Sequence, residues 1–235
     1  RVVAELMYND FMGRAGDEVF NQMSKWQSMS ANVLSMPMVL RVSVGSKYGA
    51  QHSQDWTSLA AHIPGLKVYF PATPYDAKGL LKSAIRDDNP IVFLEQERMY
   101  DNKGEVPDDP AYLVEFGVAN TLRSGSDVTI VGYSGSVHQA MRAARMLEEQ
   151  EEIDAEVIDL RTIRPLDIDT VVNSVKKTNR AVIVEDDWLF GGFGGELSAQ
   201  IMERAFDYLD APVARVSSKD VPLPYNRNLE FAALP

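Results

Sequence analysis

Short apolar runs alternate with helix-spaced apolar positions along most of this chain, and the alternation sets its architecture. Val2 to Met7 reads as a strand, and Asp10 to Gln27 as a helix with Val19, Phe20 and Met23 on one face. Pro37 to Val44 is a strand bounded by Pro and Gly. A polar, Gly-flanked loop then carries His52, followed by a short helix over Ser53 to Ala61. Lys67 to Phe70 reads as a strand, Pro74 to Asp87 as a helix and Ile91 to Glu95 as a strand.

Tyr100-Asp101-Asn102-Lys103-Gly104-Glu105-Val106-Pro107-Asp108-Asp109-Pro110 is polar and rich in breakers, which marks a linker over residues 101–112. The first region therefore spans residues 1–100 and the second 113–235. In the second, Asp127–Tyr133, Ala155–Leu160, Ala181–Val184 and Val213–Val216 are strands. Ser136–Gln150, Asp167–Lys177 and Gly195–Tyr208 are helices. Strand–helix alternation in both halves predicts two α/β domains built on parallel sheets. No short-period repeat or low-complexity segment interrupts them.

Composition narrows the function classes. The 235 residues are 45% hydrophobic and 24% charged, which is ordinary for a globular protein. A formal net charge of −11 argues against sequence-independent nucleic-acid binding, which needs a basic footprint. The chain has no cysteine, so disulfides and thiolate metal sites are excluded. No run of about 18 apolar residues or signal-peptide pattern is present, which makes a soluble protein the expectation. Arg1 leads straight into a strand and Pro235 follows a polar loop with no closing helix in view, a pattern that predicts a piece of a longer chain.

Several blocks together carry a family resemblance. They are Gly49-Ala50-Gln51-His52-Ser53-Gln54, His62-Ile63-Pro64-Gly65-Leu66-Lys67-Val68, and the run from Asp76-Ala77-Lys78-Gly79 to Asp87. Ile158-Asp159-Leu160-Arg161-Thr162-Ile163-Arg164-Pro165-Leu166-Asp167 and Asp220-Val221-Pro222-Leu223-Pro224-Tyr225 continue it. The chain resembles the beta subunits of thiamine-diphosphate-dependent 2-oxoacid dehydrogenases, the pyruvate, branched-chain and acetoin group. That resemblance implies a transketolase-like pyrimidine-binding domain, incomplete at its N-terminus, followed by a transketolase-like C-terminal domain.

It also implies a cofactor site shared between chains. An alpha subunit would hold the diphosphate of thiamine diphosphate through Mg²⁺, and the Gly-Asp-Gly signature of that subunit is absent here. Phe11, in Glu5-Leu6-Met7-Tyr8-Asn9-Asp10-Phe11, would pack against the aminopyrimidine, since a flat ring binds a flat ring and leaves its edge free. His52 would assist acyl transfer to lipoamide, a task suited to a side chain that titrates near neutral pH. The alternatives from the residues alone are a core anchor for Phe11 and a helix-capping loop residue for His52. The Glu that activates the aminopyrimidine would lie before Arg1, and Glu5 does not match its position. A potassium site would use main-chain oxygens of Met38, Ala84, Ile85, Asp87 and Asn89, because carbonyls suit a hard cation.

The implied partners are an alpha subunit, a second beta subunit and a lipoyl-bearing acyltransferase, with a 2-oxoacid as substrate and no nucleic acid or membrane. The location would be cytoplasmic in a bacterium and a mitochondrial or plastid matrix in a eukaryote. Two other readings stay open: a noncatalytic dimerisation or assembly module, and part of a single-chain transketolase or deoxyxylulose-phosphate synthase. Three motifs need no such role. Gly191-Gly192-Phe193-Gly194-Gly195 mimics a dinucleotide fingerprint, but Leu197 stands where its last Gly belongs, so a tight turn at a domain or subunit interface is expected. Glu185-Asp186-Asp187 alternates faces on a strand and does not converge on a metal. Glu148 to Glu152 is a solvated helix end. His62 reads as structural and His138 as an exposed helix residue.

Overall fold

The computed structural model describes residues 1–45 and 49–235. Its elements in chain order are β1 (Val2–Leu6), α1 (Ser24–Met29), β2 (Met38–Val44), α2 (Thr57–His62), β3 (Lys67–Tyr69), α3 (Pro74–Arg86) and β4 (Ile91–Gln96). The second half follows with β5 (Asn120–Arg123), β6 (Val128–Gly132), α4 (Gly135–Glu151), β7 (Ala155–Asp159), β8 (Thr162–Arg164), α5 (Ile168–Thr178), β9 (Ala181–Trp188), α6 (Phe193–Ala205), β10 (Ala214–Ser218) and α7 (Arg227–Ala233).

Two five-stranded sheets result, in the orders β1-β2-β4-β3-β8 and β10-β9-β6-β7-β5. The central pairs are parallel, as the alternation predicts, but each sheet ends on an antiparallel edge. β8 pairs antiparallel with β3 and β5 with β7. Neither edge strand is legible as one in the sequence. Each has three or four residues, mixed in polarity, and is held by its neighbour rather than by its own pattern. β8 belongs by sequence to the second half yet completes the first sheet, so the two halves share one structure. Phe70 after β3 packs on Tyr133 after β6, with ring centroids 5.9 Å apart, inside a core drawn from both sheets.

Three helices differ from expectation. The stretch from Asp10 to Gln27 is not one regular helix: Asn9–Gly13 is a 3₁₀ turn, Glu18–Met23 is π-helical, and Ser24–Met29 is α. Val19 and Met23 are nevertheless buried together. α2 begins at Thr57 rather than Ser53, because Asp55 Oδ1 accepts from the Thr57 amide at 2.9 Å and from its hydroxyl at 2.5 Å. The C-terminal end does carry a helix, α7, where the Asn226 side chain accepts from the amides of Asn228 and Leu229. By contrast α3 starts where Thr73 caps the Asp76 amide and Pro74 occupies the first turn, a local signal readable directly from sequence.

One buried ion pair stitches the halves and has a pH consequence. Arg161 Nε lies 2.9 Å from Asp76 Oδ1, and the Arg161 amide donates to Asp159 Oδ1 at 2.9 Å. Burial raises the Asp159 carboxyl to about 7, aided by the Asp76 charge and opposed by the Arg161 amide and guanidinium. A folded value above the ordinary 3.8 means that folding takes up a proton between these two values. This contribution is complete below the window and is lost as pH rises through it, by up to roughly 4 kcal/mol. Asp159→Asn keeps an acceptor for the Arg161 amide. It is expected to raise the melting temperature above pH 8 and to leave it unchanged near pH 4. Equal melting of variant and wild type at alkaline pH would contradict this.

Candidate functional site

β1 and β2 are parallel neighbours, so the segments leaving their C-terminal ends meet at one edge of the sheet. In open α/β sheets such edges are where ligands bind. Here three rings converge. Tyr8 and His52 have centroids 4.6 Å apart at 66°, and Phe11 and His52 are 5.4 Å apart at 89°. Tyr8 and Phe11 complete the triangle at 6.2 Å and 81°. Edge-to-face contacts fix ring orientation without covering the faces.

The loop carrying His52 is clamped by its backbone. Asn9, fully buried, donates through Nδ2 to the Gln54 carbonyl at 3.0 Å, and the Gln54 amide donates to Asp10 Oδ1 at 3.4 Å. Gln54 Nε2 donates to the Ala50 carbonyl at 2.8 Å, and the His52 amide donates to the Gly49 carbonyl at 3.3 Å. Burial raises the Asp10 carboxyl, opposed by backbone hydrogen bonds and by the neighbouring His52 charge. Tyr8, Asn9 and Asp10 add to the expected site residues, and their only sequence signal is a polar triplet directly before Phe11. Tyr8, Gly49, Ala50, Gln51, His52 and Tyr225 line a cavity of about 500 Å³.

Asn9 Oδ1, Asp10 Oδ2 and Gln54 Oε1 are buried without a hydrogen-bond partner, so the residues that clamp the His52 loop keep unspent acceptors. Behind the loop, Asp187 of β9 and Asp55 both meet the start of α2. Asp187 Oδ2 accepts from the Ser58 amide at 3.3 Å. Burial, then the Asp187 charge, lifts the Asp55 carboxyl well above the carboxylate range, and burial lifts Asp187 to about 6.

The five residues expected to offer carbonyls to a cation come from the start of β2 and the end of α3. Met38 opens β2 and pairs with Val2, directly after Arg1, while Ala84, Ile85, Asp87 and Asn89 sit at the end of α3 and beyond. Arg1 Nη1 accordingly reaches two of these carbonyls, Ile85 O at 3.2 Å and Asp87 O at 2.5 Å. Arg1 meets two of the five expected carbonyls, and no contact with the Met38, Ala84 or Asn89 carbonyl accompanies them among the described residues. The Ala84 carbonyl accepts from the Asp87 amide at 3.2 Å.

The glycine-rich segment meets a carboxylate of the chain itself. Glu185 Oε2 accepts from the Gly194 amide at 2.7 Å, so a carboxylate of the chain itself occupies the start of α6. Among the described residues no group of three or more His, Cys, Asp or Glu side chains could hold a metal ion. His62 is exposed, and the exposed His138 bonds through Nε2 to the Ala72 carbonyl at 2.8 Å.

Two sheets of this topology, with an aromatic–histidine site at the strand ends of the first, define a transketolase-type pair of domains. Residues 1–103 match the transketolase pyrimidine binding domain and residues 117–235 the transketolase C-terminal domain. The whole chain is 49% identical to the pyruvate dehydrogenase E1 component subunit beta of Rickettsia felis, covering 72% of that protein. It is 49% identical to the mitochondrial counterpart of Dictyostelium discoideum, covering 67% of it. The beta subunit of an acetoin:2,6-dichlorophenolindophenol oxidoreductase from Cupriavidus necator is 45% identical, with all of this chain and 70% of that protein aligned. A solved structure described as a split gene transketolase, inactive beta4 tetramer, shares the fold with a TM-score of 0.75 at 23% identity, over 98% of this chain and 70% of that one. The chain belongs to the beta-subunit family of the thiamine-diphosphate-dependent 2-oxoacid dehydrogenases.

Proposed function

We propose that this chain forms the beta side of a thiamine diphosphate site that decarboxylates a 2-oxoacid, pyruvate in the favoured case, and passes the acyl group to a lipoyl arm. The observation that carries this is the Phe11–His52 pair at the strand ends, in edge contact at 5.4 Å. The cofactor, when bound, supplies the electron sink for decarboxylation. Phe11 packs the aminopyrimidine, Tyr8 and Phe11 orient the imidazole, and a His52 ring nitrogen holds or moves the proton that acyl transfer requires. Asn9 and Asp10 fix the loop from below.

An alpha subunit provides the diphosphate and Mg²⁺ half, a second beta subunit completes the assembly, and a lipoyl-bearing acyltransferase receives the product. The division into residues 1–100, a strap over 101–112 and 113–235 fits this arrangement, with β8 returning to brace the first part. Bacterial and mitochondrial relatives support a cytoplasmic or matrix location, and no helix among the described residues is long and apolar enough to cross a membrane.

In the assembled enzyme, Phe11→Ala is expected to weaken thiamine diphosphate binding about tenfold, the worth of one aromatic packing contact. Titration of the cofactor by fluorescence quenching checks it, and an unchanged affinity would contradict the assignment. Potassium at the Met38, Ala84, Ile85, Asp87 and Asn89 carbonyls would brace the end of α3 against β2. Replacing sodium chloride by potassium chloride is therefore expected to raise the melting temperature, and more so in Arg1→Ala, where no guanidinium competes. Identical melting in both salts for both proteins would remove the ion from the account.

A further inference from the structure

The tail of the second half reaches the His52 loop. A methyl group placed on Gly49 would lie 2.9 Å from Cδ2 of Tyr225 and 3.5 Å from its Cβ, so the ring rests directly on the Gly49 α-carbon. Gly49 is also the residue whose carbonyl accepts the His52 amide, and it sits at φ +70°, where only glycine is unstrained. Tyr225 therefore presses on the residue that closes the turn behind the imidazole.

The tail presenting this ring is itself fixed. Leu223 is buried, the Lys219 amide donates to the Ala233 carbonyl at 2.8 Å, and Trp188 Nε1 donates to the Val221 carbonyl at 3.2 Å. Glu230, buried in α7, lies 3.7 Å from Arg98 just past β4, which ties the tail to the first sheet. The Tyr225 side chain, however, is 82% exposed. A large aromatic left in solvent adds little to a core, yet this one is anchored against a turn and lines the His52 cavity.

We propose that Tyr225 is a positioning residue for His52: through Gly49 it holds the turn that sets the imidazole, and so brings the second half of the chain into acyl transfer. This rests on the reading of His52 given above. The contact is made by the ring, so the hydroxyl is dispensable.

The test uses Tyr225→Ala, Tyr225→Phe and His52→Ala in the full-length beta subunit, with the expected upstream Glu, assembled with an alpha-type subunit, thiamine diphosphate and Mg²⁺. Hydrogen exchange of peptides covering residues 49–54 is read together with two rates, transfer to a lipoyl domain and reduction of 2,6-dichlorophenolindophenol. For Tyr225→Ala, exchange is expected to accelerate at least tenfold, with lipoyl transfer falling about tenfold at constant KM and dye reduction holding within twofold. Tyr225→Phe is expected to match wild type in all three. Unchanged exchange in Tyr225→Ala, or loss of function in Tyr225→Phe, overturns the proposal. If Tyr225→Ala loosens the loop while His52→Ala transfers acyl groups normally, the positioning contact stands and the role of His52 falls.

Discussion

His52→Ala, in the enzyme assembled with an alpha-type subunit, is expected to lower transfer of the acyl group to a lipoyl domain by about 10²- to 10³-fold, the range for losing one positioned acid–base group. Reduction of an artificial acceptor, which bypasses lipoyl, should fall less than about tenfold by the same separation of steps. The structural basis is the confined ring: Tyr8 lies 4.6 Å and Phe11 5.4 Å from the His52 centroid, and the loop is tied through Gly49 and Gln54. Removing the imidazole leaves those ties intact, so the variant should melt near the wild-type temperature. Equal losses in both rates would instead place His52 before acyl transfer, in cofactor binding or decarboxylation.

The second large effect concerns stability. Glu185→Ala should destabilise the chain by about 3–5 kcal/mol, as expected when a buried carboxylate leaves its charged and polar partners unpaired. Glu185 is fully buried and accepts from four distinct groups: the Gly194 amide at 2.7 Å, Ser217 Oγ at 2.9 Å, Arg215 Nη2 at 3.1 Å and the Tyr133 hydroxyl at 3.4 Å. These join β9, β10, the turn after β6 and the start of α6, so the loss spreads over the second sheet. For a chain of this size the melting temperature should drop by roughly 10 °C. Glu185→Gln should lose less, because the amide oxygen still accepts from Gly194 or Ser217. A shift under about 2 °C for the alanine variant would show that the network is not limiting.

What the sequence made legible follows the range of the forces involved. α3 and β2 carry their own boundaries in Thr73-Pro74 and Pro37, which act within a few residues. β5 and β8 do not, because edge strands this short exist through pairing with β7 and β3. The helix expected over Asp10 to Gln27 keeps its buried Val19 and Met23 but departs from regular α geometry, which the spacing of apolar residues cannot report. Phe11 and His52 were reached through a resemblance, and their approach depends on the parallel pairing of β1 with β2. The role of Asn9 and Asp10 is not legible locally, since their partner, Gln54, is distant in sequence. Carbonyl oxygens such as those of Ile85 and Asp87, which accept from Arg1, leave no side-chain signature at all.

On the proposed reading this chain supplies one side of the cofactor site and an alpha-type subunit the other. Isothermal titration of thiamine diphosphate with Mg²⁺, into the chain alone and into the chain co-assembled with an alpha-type subunit, separates the two cases. Tight binding is expected in the complex and none by the chain alone. Tight binding by the chain alone would contradict that reading.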